Sequence, residues 1–266
     1  MISASGAELL ESLWRDFART TPQAARIREL LAERGELVHH DHLALRTFAA
    51  PAIGLDALGH RFEAEGWRPR ERYRLDEAHL RARYWQHEDP NAPKVFISEL
   101  DLDALSPGAR AIVDRLLSQI PPDLGDLGDL GDLGDLGDLG DLVGLGARRT
   151  PLIPGRPWTL SYGDYLTLLA ESEHAAWVAA LGMRASRFTV DVGALISFPD
   201  LAALVAFLAE HAFRVDAHRH AASTRPESIP VRFTDITERV SSGSYELAAR
   251  PPASLPSRRA PVSAAK

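Results

Sequence analysis

The sequence contains no cysteine, no apolar run long enough to cross a membrane and no stripe of basic residues. Without cysteine, disulfides, thiolate nucleophiles and cysteine-ligated metals are excluded, so any metal must be held by histidine and carboxylate groups. The missing apolar run argues against a membrane span, and the acidic residues of the first turns argue against a signal peptide. We therefore expect a cytoplasmic protein that has no membrane partner.

The charge and the size of the chain narrow the possible classes of protein further. The formal net charge is −7, and acidic and basic residues are intermixed through most of the sequence. Such a distribution does not attract a phosphate backbone, so we expect no nucleic-acid partner. With 266 residues, 45% of them apolar, the chain can bury one large core or two modest ones. This is the composition of a soluble globular protein.

One segment is unlike the rest, because an uninterrupted Asp-Leu-Gly triplet repeat runs from Asp123 to Leu142. Glycine at every third position disfavours a helix, and a period of three matches neither helix nor strand. We interpret this segment as a linker; a calcium-binding acidic repeat would need additional oxygen ligands that the triplets lack. The expected domains are N-terminal helices and a first module over 1–120, the linker over 121–146, a second module over 147–250 and a disordered tail over 251–266.

The two halves on either side of the repeat share one order of elements, which is a strand, a helix and then two or three strands. In the first half the patterns predict strands at 40–49, 80–87 and 94–100 and a helix at 55–67. In the second half they predict strands at 186–192, 214–220, 229–236 and 244–250 and a helix at 200–213. This order, met twice, predicts an α+β fold of paired βαβββ modules with flanking helices.

Two residues with useful chemistry share a face of the first predicted strand. Side chains two apart point the same way, so His42 and Arg46 project together. Their α-carbons would lie roughly 13 Å apart, which leaves room for a small dianion between a metal on His42 and the guanidinium. Glu246, flanked by small residues on the last predicted strand, is a candidate metal ligand. From spacing alone, a hydrogen-bonded His42 and a structural ion pair of Glu246 remain the alternative.

Several stretches resemble the 2-oxoadipate dioxygenase/decarboxylase family, also called hydroxyglutarate synthases. Among them are HLALRTFA, APKVFISEL, SYGDYLTLLAESEHAAWVAALGMRASRFTV and GSYELAARP. The resemblance covers most of the chain outside the Asp-Leu-Gly repeat and the tail after about Pro251, and the stretches agree in order. It implies a vicinal-oxygen-chelate-like fold in which the paired βαβββ modules form a cupped mixed sheet.

The resemblance also implies a cofactor, a reaction and roles for particular residues. The family uses Fe(II) held by two histidines and one glutamate, a set that leaves open positions on the metal. By the resemblance, His42 and Glu246 are catalytic metal ligands, His42 also lies against the substrate, and Arg46 binds a substrate carboxylate. The implied partners are a 2-oxo dicarboxylic acid and O2, and the implied products from 2-oxoadipate are 2-hydroxyglutarate and CO2.

The chain departs from the family pattern at the second histidine. Relatives show Asn-His-Phe-Thr where this chain has Ser186-Arg187-Phe188-Thr189, so Arg187 occupies a ligand position. A guanidinium has no usable lone pair and does not deprotonate in proteins, so it cannot bind iron. We expect an ion pair between Arg187 and Glu246 in place of one metal bond.

Three functional hypotheses follow from this substitution. In the first, the protein is an iron dioxygenase because another histidine replaces the ligand; the candidates are His40, which shares the strand face of His42, and His218 or His220. In the second, the pocket binds a small dicarboxylate through its arginines without metal chemistry. In the third, the chain is a degenerate paralogue kept folded for an interaction, or an aberrant sequence.

Overall fold

The computed structural model describes residues 1–120, 155–213 and 231–232. Within these ranges the α-helices are α1 (Ala4–Thr20), α2 (Pro22–Glu33), α3 (Leu55–Ala64), α4 (Pro107–Leu117), α5 (Tyr162–Glu171), α6 (Glu173–Leu181) and α7 (Leu201–Glu210). The strands are β1 (His40–Phe48), β2 (Arg68–Leu75), β3 (Leu80–Gln86), β4 (Lys94–Leu100), β5 (Ala185–Val190) and β6 (Val231–Arg232). The predicted linker and tail lie outside the described residues, and the domain boundaries stay predictions.

The strands form one mixed sheet in the order β2-β3-β4-β1-β5-β6. β1 pairs with β4 in parallel, and the other neighbours are antiparallel. The first half supplies a complete βαβββ module, β1-α3-β2-β3-β4, and β5, α7 and β6 follow in the second half. The predicted α+β fold is therefore confirmed. Because β5 hydrogen-bonds directly to β1, the two halves share one sheet.

One face of the sheet packs into the hydrophobic core. Along each strand, the residues of this buried face alternate with residues of the opposite face, as is typical of a half-buried sheet. The fully buried residues of this face include Leu43, Leu45, Trp85, Val95 and Ile97. Helix α1 covers the β5 part of the face with its aromatic residues. The ring centroids of Trp14 and Phe17 lie 5.2 and 5.1 Å from that of Phe188.

Helix α3 lies very close to β3, and a glycine makes this approach possible. A Cβ on Gly59 would overlap the indole ring of Trp85. The same ring is anchored through its Nε1, which donates a 2.9 Å hydrogen bond to Glu63 near the end of the helix. The helix was predicted to extend to residue 67 but ends at Ala64, because Gly66 turns the chain with φ of 99°. Trp67 is thereby directed into the core, where it is fully buried.

Strand β2 is an element that the sequence patterns did not predict. It is the edge strand of the sheet, and all its residues except Pro69 are exposed. An exposed edge strand buries no face, so it shows no alternation of apolar and polar residues. Proline within a run also argues against a strand, although edge strands tolerate it.

Candidate functional site

A cavity of about 640 Å³ lies between one face of the sheet and the junction of α5 and α6. Residues of four neighbouring strands form its sheet side: Leu80 and Ala82 of β3, Phe96 and Ser98 of β4, His42, Ala44 and Arg46 of β1, and Arg187 of β5. Residues 171–174 contribute to another wall. Cavities of this volume accept small-molecule ligands.

The structure brings three of the predicted site residues together. His42, Arg46 and Arg187 all line this cavity, and His42 and Arg46 share a face of β1 as the alternation predicted. Across the two strands Arg187 is opposite Ala44, so its side chain enters the cavity between His42 and Arg46. The roles assigned to the three residues stay predictions.

The direct neighbour of His42 across the strands is Thr189 rather than Arg187. The two residues are paired in register, and Thr189 Oγ1 lies 3.0 Å from His42 Nε2. On the other side of the ring, Asp41 Oδ2 lies 2.8 Å from Nδ1. A carboxylate only accepts, so Nδ1 donates to Asp41; in a neutral imidazole Nε2 then accepts from the Thr189 hydroxyl. The two hydrogen bonds therefore orient the ring of His42.

Asp41 is itself held in its charged form. The hydrogen bond from His42 lowers the pKa of Asp41, and the ammonium group of Lys94 lowers it further. Lys94 Nζ lies 3.5 Å from Asp41 Oδ1. A carboxylate that orients an imidazole in this way is a common second partner of metal-binding histidines. The arrangement equally suits a neutral histidine that hydrogen-bonds a ligand.

Arg46 contacts α6 through its guanidinium. Its Cζ lies 5.2 Å from the centre of the Trp177 ring, within the range of a cation–π interaction. His174, one turn earlier on α6, also lines the cavity, and its Nε2 donates a 3.0 Å hydrogen bond to the Thr47 carbonyl. Burial lowers the pKa of His174 to about 3, and the nearby positive charge of Arg46 acts in the same direction. His174 is therefore neutral at physiological pH.

Sequence reasoning missed Asp41, His174 and Trp177 as members of this site. Asp41 could have been found as a carboxylate adjacent to a candidate ligand histidine. His174 and Trp177 gave no such signal, because α6 is apolar on nearly every side and buries most of its residues. Thr189 is two residues from Arg187, so alternation along a strand gives both the same face, but its pairing with His42 depends on the register of the sheet.

The prediction that His40 shares a face with His42 is wrong. The pairing of β1 with β5 shifts register between these two residues, and such an irregularity inverts the alternation of side chains. The His40 ring packs on the core side, 5.2 Å from Trp14 and 5.0 Å from Phe188. His42 instead contacts Phe96 in the cavity, at 5.1 Å. His40 therefore cannot supply the missing ligand.

Three other predicted residues lie outside the described residues, namely Glu246, His218 and His220. The predicted ion pair between Arg187 and Glu246 accordingly stays a prediction. Within the ranges described, none of the helices is long and apolar enough to cross a membrane.

The described residues of the cavity do not fit the iron centre that the resemblance implies. In the described part of the chain, no three histidine, aspartate or glutamate side chains are grouped so that they could hold a metal ion. His42 Nε2 is hydrogen-bonded to the Thr189 hydroxyl, and Arg187 lines the cavity at the position where the family pattern has a second imidazole. Iron would need donors from beyond these ranges, of which the sequence predicts Glu246.

Fold and site together define an α+β protein with an arginine-containing cavity on one face of a mixed sheet, a fold similar to that of a glyoxalase-superfamily protein from Ralstonia eutropha JMP134 (22% identical, TM-score 0.61, over 82% of this chain and 72% of the other). A sequence model of the 2-oxoadipate dioxygenase/decarboxylase family matches residues 7–185. The chain belongs to this family.

A curated plant relative carries the name of the family. The chain is 26% identical over 200 residues to the chloroplastic/amyloplastic 2-oxoadipate dioxygenase/decarboxylase of Oryza sativa subsp. japonica. The matched region is 71% of this chain and 50% of the relative. The chain thus spans about half the length of this relative.

Solved structures agree with the fold. A protein from Shewanella frigidimarina NCIMB 400, provisionally named a hydrolase, is 33% identical with a TM-score of 0.65, over 79% of this chain and 74% of the other. The hydroxyglutarate synthase from Oryza sativa in complex with 2-oxoadipate is 24% identical with a TM-score of 0.66, over 83% of this chain and 69% of the other. The second likeness is one of fold alone.

Proposed function

We propose that this protein binds a small 2-oxo dicarboxylic acid of the 2-oxoadipate class in the cavity, with Arg46 holding one carboxylate. The observation that carries the proposal is that Arg46 and Arg187 place two guanidinium-bearing side chains in the lining of one cavity. A guanidinium donates charge-assisted, often bidentate hydrogen bonds to a carboxylate. Family membership supports this ligand class, because the rice hydroxyglutarate synthase was solved with 2-oxoadipate.

For the chemistry, we favour binding of the dicarboxylate without iron-dependent oxidation. By the resemblance Arg187 stands at the position of the second histidine ligand, and it adds a permanent positive charge to the cavity that His42 also lines. A positive charge there repels a metal cation and attracts an anionic ligand. On this hypothesis the two arginines supply the positive charge that a metal would otherwise supply.

The second candidate is the oxidation that gives the family its name, in which 2-oxoadipate and O2 yield 2-hydroxyglutarate and CO2 with Fe(II) as cofactor. The observation that favours it is the Asp41–His42 hydrogen bond, because a carboxylate on the other ring nitrogen is a common partner of metal-binding histidines. His42 and Glu246 would hold the metal, and Arg46 would orient the substrate. This function requires a third donor from residues beyond the described ranges.

Calorimetric titration of the metal-stripped protein with 2-oxoadipate tests the binding proposal. We expect saturable binding that Arg46→Ala weakens at least tenfold, because a charge-assisted hydrogen bond contributes about 1.5–3 kcal/mol. Arg15→Ala, which removes an exposed arginine of α1, is the matched control and should bind like the wild type. Equal affinities of all three proteins would remove Arg46 from the site and overturn the proposal.

Metal analysis of the purified protein, together with O2 uptake on 2-oxoadipate, separates the two candidates. We expect little iron and no turnover if Arg187 blocks the metal position. Near-stoichiometric iron with 2-oxoadipate-dependent O2 uptake would establish the second candidate and contradict the first.

A further inference from the structure

Helix α6 is a rigid buried support at one end of the cavity. Its residues from His174 to Ala179 are all buried, and its side chains face the core in nearly every direction. The Trp158 indole donates a 2.8 Å hydrogen bond to the Ala179 carbonyl, which satisfies one of the free carbonyls at the end of the helix. Functional groups supported by such an element keep a defined geometry better than groups on loops.

A hydrogen bond ties the first turn of α6 to the strand that carries Arg46. His174 Nε2 donates to the carbonyl of Thr47, the residue that follows Arg46 in β1. The bond is buried, and it joins residues that are 127 positions apart in the chain. It therefore sets the distance between α6 and the backbone at Arg46.

The side chain of Arg46 also contacts α6, close to His174. Its guanidinium lies over the ring of Trp177, which follows His174 by three positions and so lies near the same side of the helix. Trp177 is buried, with 6% of its surface exposed, so the contact is largely shielded from water. The hydrogen bond to the Thr47 carbonyl and the ring contact thus connect Arg46 and Thr47 of β1 with His174 and Trp177 of α6.

We propose that Trp177 and His174 are positioning residues that hold the Arg46 guanidinium ready to receive a ligand carboxylate. The inference rests on the proposed function, because it assigns Arg46 as the carboxylate-binding group. An arginine side chain has many rotamers, and ordering it in advance reduces the entropy that ligand binding must oppose. A cation–π contact uses the face of the planar guanidinium, whereas a bidentate carboxylate contact uses its N–H edges, so the two contacts are compatible in geometry.

The test compares a disruptive with a conservative substitution of Trp177. Trp177→Leu removes the aromatic face, and we expect it to weaken binding of 2-oxoadipate about tenfold, the effect of a shielded cation–π contact. Trp177→Phe keeps an aromatic face and should restore most of the affinity. Phe62→Leu, which shortens a fully buried aromatic residue of α3, controls for a general loss of packing and should leave the affinity unchanged.

A double-mutant cycle identifies Arg46 as the residue through which Trp177 acts. In the Arg46→Ala background, Trp177→Leu should have no further effect on affinity, because the positioned group is absent. Equal affinities of the Leu and Phe variants, or a tenfold loss that persists without Arg46, would overturn the inference. If either result is found while Arg46→Ala still weakens binding, the positioning role of Trp177 is wrong but the proposed function stands. If Arg46→Ala binds 2-oxoadipate like the wild type, both the positioning role and the proposed function are wrong.

His174 and the fluorescence of Trp177 give two further readouts. His174→Gln keeps a side-chain N–H for the Thr47 carbonyl and should bind like the wild type, whereas His174→Leu should bind more weakly. A ligand at Arg46 should change the tryptophan fluorescence of the wild type, and Trp177→Phe should remove most of that change while it still binds. A full fluorescence change in Trp177→Phe would place the ligand elsewhere and contradict the positioning role.

Discussion

Acid should destabilise this protein through His174, which is buried beside the proposed carboxylate-binding residue. Its pKa is about 3 in the folded protein against an ordinary value of 6.5, because burial and the neighbouring Arg46 oppose the charged form. The unfolded chain therefore binds this proton more readily than the folded protein. The contribution of neutral His174 to the unfolding free energy is fully present above about pH 6.5 and is lost as the pH falls toward 3.

The size of the effect follows from these two pKa values. Between about pH 7.5 and about pH 5, protonation of this one imidazole stabilises the unfolded chain by about 2 kcal/mol. His40 acts in the same direction, because burial lowers its pKa to about 4. His40 is present both in the wild type and in a His174→Gln variant, so a comparison of the two proteins isolates the contribution of His174.

Urea unfolding of the two proteins at both pH values measures the difference. We expect the wild type to lose about 2 kcal/mol more of its unfolding free energy than His174→Gln on acidification. The exposed His60 offers a matched control, since His60→Gln should lose as much as the wild type. Equal losses in the wild type and His174→Gln would refute the reasoning, because the folded protein would then accommodate the charged imidazole.

Three further changes have expected outcomes. Arg187→His should raise the iron bound after incubation with Fe(II), because an imidazole supplies the missing lone pair; no gain on metal analysis would mean that Arg187 is not at the ligand position. Gly59→Ala should cost about 1–3 kcal/mol of stability in urea, because its Cβ overlaps the Trp85 ring; an unchanged midpoint would contradict the close approach. Glu36→Gln should cost about 1–3 kcal/mol of unfolding free energy in urea, because its buried carboxylate accepts hydrogen bonds from the backbone N–H groups of 196–197. A variant as stable as the wild type would show that these hydrogen bonds contribute little to stability.

Much of the cavity face could be predicted from alternation along single strands. His42 and Arg46 share a face because they are four residues apart on β1, and Arg187 lies on the polar face of β5 because its apolar neighbours are buried. These assignments depend on a local property, the period of two of an extended chain. The strand, helix and strand order of the first half was predicted on the same basis, with β2 as the exception because an exposed edge strand carries no apolar face.

The neighbours of each site residue could not be predicted in this way. The shift of register between His40 and His42 moves His40 to the core side, although their spacing places them on one face. Thr189 reaches His42 Nε2 across 147 positions of sequence, and no local pattern records that contact. The same holds for Trp177, whose ring meets Arg46 only after α6 has packed against β1.

By itself the amino-acid sequence determined the absence of thiol chemistry, the α+β order of elements, the family and the strand faces that carry His42, Arg46 and Arg187. The family follows from similarity to known sequences, and the other properties follow from composition and from short-range periodicity, neither of which depends on the packing. Only the tertiary structure decided which groups touch those side chains: Asp41 and Thr189 on the imidazole, and α6 on the arginine. Sheet register and helix packing join residues that are far apart in the chain, and these contacts fix the orientation of the His42 ring and the position of the Arg46 guanidinium.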